Sequence, residues 1–111
     1  MTSVYIAGAY SQGDPVRNIR LVLAIAEDLI EEGFFVVVPH LFHLWHFVYP
    51  HSYDFWLDYG KKLLSLCDCV LRISGESKGA DGEVEYAREI GKAVFYNLDE
   101  LLDWKNERKG E

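Results

Sequence analysis

The sequence predicts an α/β fold: a three-layer, flavodoxin- or Rossmann-like parallel sheet of four to five strands with helices on both faces. Three observations carry this expectation. Short β-prone runs alternate with helical periodicities in the order β-α-β-(loop)-α-β-α-β-α, and such alternation requires parallel strands joined by crossovers. Residues 34–38 form an unbroken apolar run, Phe-Phe-Val-Val-Val, which suits a strand buried on both faces. Two glycine-bearing turns, residues 8–13 and 74–81, follow the first and third strands. The switch point of a flavodoxin-like sheet lies there, and ligands bind outside the carboxyl ends of those strands.

The elements follow in order. Val4-Tyr5-Ile6-Ala7-Gly8 is a β-prone run closed by glycine. Asp14-Pro15 reads as a helix N-cap and first helical residue. Ile19, Val22, Leu23, Ala26, Leu29 and Ile30 then recur at helical spacing up to Gly33, a natural C-terminal stop. After the apolar strand, Pro39 opens a loop over residues 40–53 that holds all four histidines among aromatic residues. Asp54 is placed to cap a helix running to about residue 66. Residues 69–73 form the third strand and 93–96 the fourth, with a helix over residues 80–91 between them. A charged amphipathic helix over 99–108 ends the pattern, and residues 105–111 are expected to fray.

All 111 residues make a single domain, large enough for a true core with half its residues hydrophobic. A formal charge of −7 argues against a nucleic acid polymer as partner, because phosphate binding needs a basic surface. No apolar run approaches the ~20 residues of a membrane span. The first residues lack a signal-peptide pattern. A cytoplasmic protein without a membrane partner is therefore expected. Cys67 and Cys69 are expected at a strand start with their side chains on opposite faces, which disfavours a disulfide.

Residues 74–87 carry the chemistry. A Gly/Ser turn running into a helix leaves backbone N–H groups facing a ligand. Ala80, Val84, Ala87 and Gly91 form a narrow stripe for the sheet, extended by Ile90, while Glu85 and Glu89 project toward water. Glu83 projects from the protein side, aimed at the crevice. The plainer alternative is a first-turn glutamate that favours the helix dipole. Gly79 permits close backbone approach, and Ser77 and Asp81 serve either as caps or as ligand donors and acceptors. The turn is neither a Walker loop nor a dinucleotide fingerprint. In residues 40–53, Phe42, Trp45, Phe47 and Tyr49 suit a wall that stacks on a planar base, and His43 and His46, with Asp58, are the candidates for an acid or hydrogen bond at a departing base. An oligomer interface is the alternative, and both hold if a neighbouring subunit completes the site. No HExxH-like spacing supports a metal, so no metal and no cofactor are expected.

Taken together, Val4-Tyr5-Ile6-Ala7-Gly8, Leu66-Cys67-Asp68-Cys69-Val70 and Ser77-x-Gly79-x-x-x-Glu83 followed by Ala87 resemble the nucleoside 2-deoxyribosyltransferase superfamily. That superfamily includes the 2′-deoxynucleoside 5′-monophosphate N-glycosidases. The resemblance implies cleavage or exchange of the N-glycosidic bond of a nucleoside or its 5′-monophosphate. Glu83 would be the nucleophile that forms a glycosyl-enzyme intermediate, and Tyr5 would position it. Ser77 and Gly79 would bind the 5′ end of the sugar. Apart from the resemblance, Gly8, Asp81 and His43 are expected as substrate-binding residues from their places in the two turns and the histidine segment. The aspartate that assists the leaving base in the family falls here at Gly60, and Asp58, two residues earlier, is its candidate substitute. The resemblance and the aromatic loop together imply a homo-oligomer. A non-catalytic nucleotide or nucleotide-sugar binding module on the same fold is the alternative function.

Overall fold

Side-chain alternation along β1 (Ser3–Ala7) decides the architecture. Successive strand residues face opposite sides of a sheet, so Val4 and Ile6 enter one core and Tyr5 and Ala7 the other. The computed structural model describes residues 1–109. After β1 come α1 (Pro15–Glu31), β2 (Phe35–Val37), a 3₁₀ turn (Pro39–Leu41), α2 (Phe42–Val48) and α3 (Tyr53–Ser65). β3 (Cys69–Arg72), α4 (Lys78–Glu89), β4 (Ala93–Phe95) and α5 (Leu98–Lys109) complete the described residues.

The four strands pair in the order β2-β1-β3-β4. All pairings are parallel, with Tyr5 opposite Val37 on one side and Val70 on the other. Val22, Ala26 and Leu29 of α1 and Leu101 of α5 pack with Val4, Ile6 and Leu71 on the first face. Leu64 of α3 and Ala80 and Ala87 of α4 pack with Tyr5, Ala7 and Val70 on the second. The fold is therefore the expected three-layer, Rossmann-like arrangement. The central strands β1 and β3 are buried along nearly their whole length, and their carboxyl ends open beside each other into the turns after Ala7 and Arg72. Cys67 and Cys69 lie in opposite cores as free thiols, not through strand alternation, which would put residues two apart on one face, but because Cys67 lies in the turn before β3 begins at Cys69.

Several boundaries differ from the sequence expectation for identifiable reasons. The apolar run at 34–38 yields only a three-residue edge strand, and Phe35 is 59% exposed; an edge position leaves one flank without a neighbour. Ser52, not Asp54, caps α3: its backbone is extended and its Oγ accepts from the Phe55 N–H at 3.1 Å. Ser77 caps α4 in the same way, accepting from Ala80 at 3.1 Å, so this helix begins two residues early. Gly91 and Ile90 leave the stripe because α4 ends at Glu89, and Gly91 takes the left-handed conformation, φ +79°, that terminates it.

Residues 42–48, expected as loop, form α2. The segment between Pro39 and Pro50 contains no glycine, and its histidine spacing of three is helical. The periodicity misleads because apolar side chains surround the helix, leaving no polar face to mark a stripe. The expected fraying from residue 105 is also corrected as far as Lys109, while Gly110 and Glu111 lie outside the described residues. Lys105 is 7% exposed. Its ammonium donates to the Glu32 carbonyl at the end of α1 and stands 4.6 Å from the Phe34 ring centroid. A cation there satisfies an orphan carbonyl and complements the helix dipole.

Lys105→Ala is expected to lower unfolding free energy by about 1.5–3 kcal/mol, the range for a charge-assisted hydrogen bond. Urea melts measure this directly, and unchanged stability would remove the capping role.

Candidate active site

Burial of Ala80, Val84 and Ala87 against the sheet sets the roll of α4. Glu83, one residue before Val84, therefore turns toward the side where α3 packs. Tyr5, on the same face of the sheet and fully buried, donates its hydroxyl to Glu83 Oε2. Burial raises the Glu83 carboxyl to about 7, against the opposing effects of the Tyr5 hydroxyl and the Arg72 and Lys61 charges. Burial and then the adjacent Glu83 charge push the Tyr5 phenol upward, so it remains a donor wherever the carboxylate is ionised. The pair is thus a carboxyl group whose affinity for its proton is raised by burial, beside a phenol that stays a hydrogen-bond donor.

A cavity of about 910 Å³ opens over this pair. Its floor is Tyr5, Gly8 and Glu83, and its ends are the first turn, Tyr10 to Gln12, and the Ser77–Gly79 approach to α4. Phe42, His43 and His46 of α2 with Trp56 and Leu57 of α3 form the wall. The β1 and β3 turns therefore meet at one crevice. α3 contributes Tyr53, Trp56, Leu57 and Gly60, spaced along a single helical face. An added Cβ at Gly60 would lie 3.0 Å from Tyr5 Oη and 3.2 Å from Glu83 Oε2. The helix backbone thus presses directly on the pair. Asp58 falls roughly 200° around the helix from Gly60; it is exposed and outside the cavity lining, so it does not substitute for a residue at position 60.

The sequence of residues 2–96 matches the family described as a domain of unknown function, DUF4406. The chain belongs to this family. No curated protein matches it. The DUF4406 match contains all four strands and every cavity-lining residue, and α5 lies beyond it.

Within the DUF4406 cavity, the remaining expected residues divide. His43 stacks on Tyr10 with ring centroids 3.2 Å apart and planes 7° apart. Burial, then the nearby His40 and His46, lower its imidazole to about 4. Ser77 and Gly79 stand at the cavity's α4 end, although the Ser77 hydroxyl is committed to capping. Asp81 reaches the cavity edge, but its carboxylate accepts from Arg72 at 3.0 Å. That buried guanidinium also donates to the Gly75 carbonyl at 2.8 Å and to Ile73. Asp81 therefore helps to hold the turn that begins α4.

Sequence reasoning missed Tyr10, His40 and Trp56 as cavity residues. His40 is 4% exposed. Its Nε2–H donates to the Gly8 carbonyl at 3.1 Å, and its buried Nδ1 has no hydrogen-bond partner among the described residues. The Trp56 indole donates to His46 Nδ1 at 2.8 Å, and the His51 backbone N–H donates to the same nitrogen at 3.2 Å. Position within the glycine-bearing first turn was the available signal for Tyr10; nothing comparable marked Trp56. Among the described residues no cluster of three or more histidine, cysteine or acidic side chains is arranged to hold a metal ion.

The raised Glu83 carboxyl has a consequence for stability. From an ordinary value of 4.5 it rises to about 7 in the folded chain, so the folded state retains a proton that the unfolded state has released. Its contribution is complete below the unfolded value and is lost as pH rises through the folded one. Glu83→Gln, which cannot ionise, is expected to gain on wild type by up to about 3 kcal/mol between about pH 5 and about pH 8. Paired thermal melts across that range measure it; a pH-independent difference would contradict a buried, proton-retaining Glu83.

Proposed function

We propose that this chain cleaves or exchanges the N-glycosidic bond of a nucleoside or nucleoside 5′-monophosphate through a glycosyl ester on Glu83. The observation that carries the reading is the Tyr5–Glu83 pair at the floor of a cavity walled by aromatic rings. Breaking a glycosidic bond develops positive charge at the anomeric carbon, and an adjacent carboxylate stabilises it or traps it covalently. Tyr5 fixes one carboxylate oxygen and leaves the other for attack. The Ser77–Gly79 turn suits the 5′ end of the sugar, with the N-terminus of α4 favouring a polar or anionic group. Phe42, His43 and Trp56 suit the planar base. Water reaching the intermediate gives hydrolysis, and a second base gives exchange. The resemblance to nucleoside 2-deoxyribosyltransferases supports the same assignment of roles.

The same reading includes a second copy of the chain as the cover of α2. Leu44, Phe47 and Val48 are 65%, 78% and 69% exposed, and residues 39–53 carry no Asp, Glu, Lys or Arg in a chain of net charge −7. Net charge of this size opposes association, and an uncharged apolar face is where that opposition is least. Size-exclusion chromatography with light scattering is expected to give a dimer or higher assembly that Phe47→Glu converts to monomer; a wild-type monomer at micromolar concentration would remove this part of the proposal.

The test of the reaction is chromatographic detection of free base from ribo- and deoxyribonucleosides and their monophosphates, with and without a second base. Wild type is expected to release or exchange base, and Glu83→Ala to lose at least about 10³-fold, equivalent to about 4 kcal/mol of barrier. Because the attacking form is the carboxylate, kcat/KM should rise with pH through about 7 to a plateau, following Glu83. Saturable binding with the nucleotide recovered intact would point instead to a binding module, and neither binding nor turnover by folded protein would overturn both.

A further inference from the structure

Glycine inside a helix is less favourable than alanine, because it gives up more backbone freedom on folding. α3 nevertheless carries Gly60 in its interior, buried and bordering the cavity. Apart from α3's own backbone and the adjoining residues, a Cβ at this position would meet two atoms within 4 Å among the described residues. These are Tyr5 Oη at 3.0 Å and Glu83 Oε2 at 3.2 Å. The side-chain space at position 60 is therefore bounded by the hydrogen-bonded pair itself. A Cβ in ordinary contact keeps 3.4–4 Å, so an alanine here would require its neighbours to give by a few tenths of an ångström. Gly82, inside α4, offers the contrast: a Cβ there meets nothing within 4 Å.

Packing decides which neighbour gives. Tyr5 is fully buried in β1, a central strand paired on both sides. α3 is fixed at its start by the Ser52 cap. One turn beyond Gly60 it is fixed again by Leu64, fully buried in the same core as Tyr5 and Val70. A close-packed core leaves neither the phenol nor the helix room to withdraw. Glu83 reaches the pair on a flexible side chain that borders the open cavity, so the displacement falls on its carboxyl group. We propose that Gly60 is a positioning residue for Glu83: the missing side chain lets α3 close over the carboxylate oxygen that Tyr5 holds, leaving the other oxygen fixed for attack. The catalytic consequence rests on the N-glycosidase reading. There the free oxygen must meet the anomeric carbon opposite the departing base, and a misplacement of about 1 Å costs about 10²-fold in rate. Gly60 brings no chemistry of its own and acts through Glu83.

The experiment is a double-variant cycle of Gly60→Ala with Tyr5→Phe, which removes the atom nearest the new methyl group. Gly82→Ala is the control. Melting temperature is measured for every variant, and kcat and KM for base release for wild type and the cycle. Gly82→Ala is expected to raise the melting temperature by about 2–6 °C, the ordinary gain from removing a helical glycine. Gly60→Ala is expected to lower it, and to raise it once Tyr5 is phenylalanine. In kinetics, Gly60→Ala is expected to lose at least about tenfold in kcat with KM within about twofold, since the lost alignment matters in the transition state. In the Tyr5→Phe background the same substitution should cost less than about threefold. A kcat within about twofold of wild type would overturn the positioning role and leave the N-glycosidase reading standing. So would equal effects in the two backgrounds, or a melting temperature that rises in Gly60→Ala as it does in Gly82→Ala. A wild type that releases no base from any nucleoside or monophosphate would overturn that reading and the catalytic role of Gly60 with it.

Discussion

The hydrogen bond between Tyr5 and Glu83 is the contact around which the rest of the molecule is arranged. A carboxyl group removed from water is tolerated only with partners or with a retained proton, and here both apply. Placing it requires three separate elements to agree. β1 must present Tyr5 to the face covered by α4, which its alternation does. α4 must start at Ser77 so that Ala80, Val84 and Ala87 lie on the sheet and Glu83 turns inward. α3 must approach without a side chain at position 60. Arg72 joins the first two requirements, since it stands at the end of β3 and binds the turn leading into α4.

Much of this was legible in the sequence because the central strands obey simple rules. Val4 and Ile6 alternate with Tyr5 and Ala7, and the Ala80-Val84-Ala87 stripe orients Glu83 without reference to any other element. What was not legible depends on neighbours. Asp58 looks like a substitute acid until the roll of α3 is known, because a two-residue offset reverses a helix face. Asp81 looks like a ligand group until Arg72 is seen beside it. Phe35 reads as core because hydrophobicity alone does not distinguish an edge strand from a central one. Lys105 reads as tail because a charged residue is seldom buried, and its partner is a backbone carbonyl with no signature in sequence.

The cavity wall shows the same dependence on context. All four histidines lie within one short aromatic segment. Packing gives two of them different uses: His40 joins the first turn to the end of β2 through the Gly8 carbonyl, and His46 fixes the Trp56 ring. A third, His43, becomes a flat neutral plate against Tyr10. Imidazoles used in this way stiffen the wall through directional bonds while adding no permanent charge to it.

α5 lies outside the residues that define the family match, yet it is not an appendage. Leu101 is completely buried among Val4, Ile6 and Leu29, and Lys105 closes the end of α1. The boundary drawn by sequence similarity is therefore not a folding boundary. A chain stopped at Tyr96 would retain every residue of the candidate site but uncover the part of this face of the sheet that α1 leaves to α5. Variation in this last helix would accordingly reach the site through the stability of the sheet that carries Tyr5, without any contact with the chemistry itself.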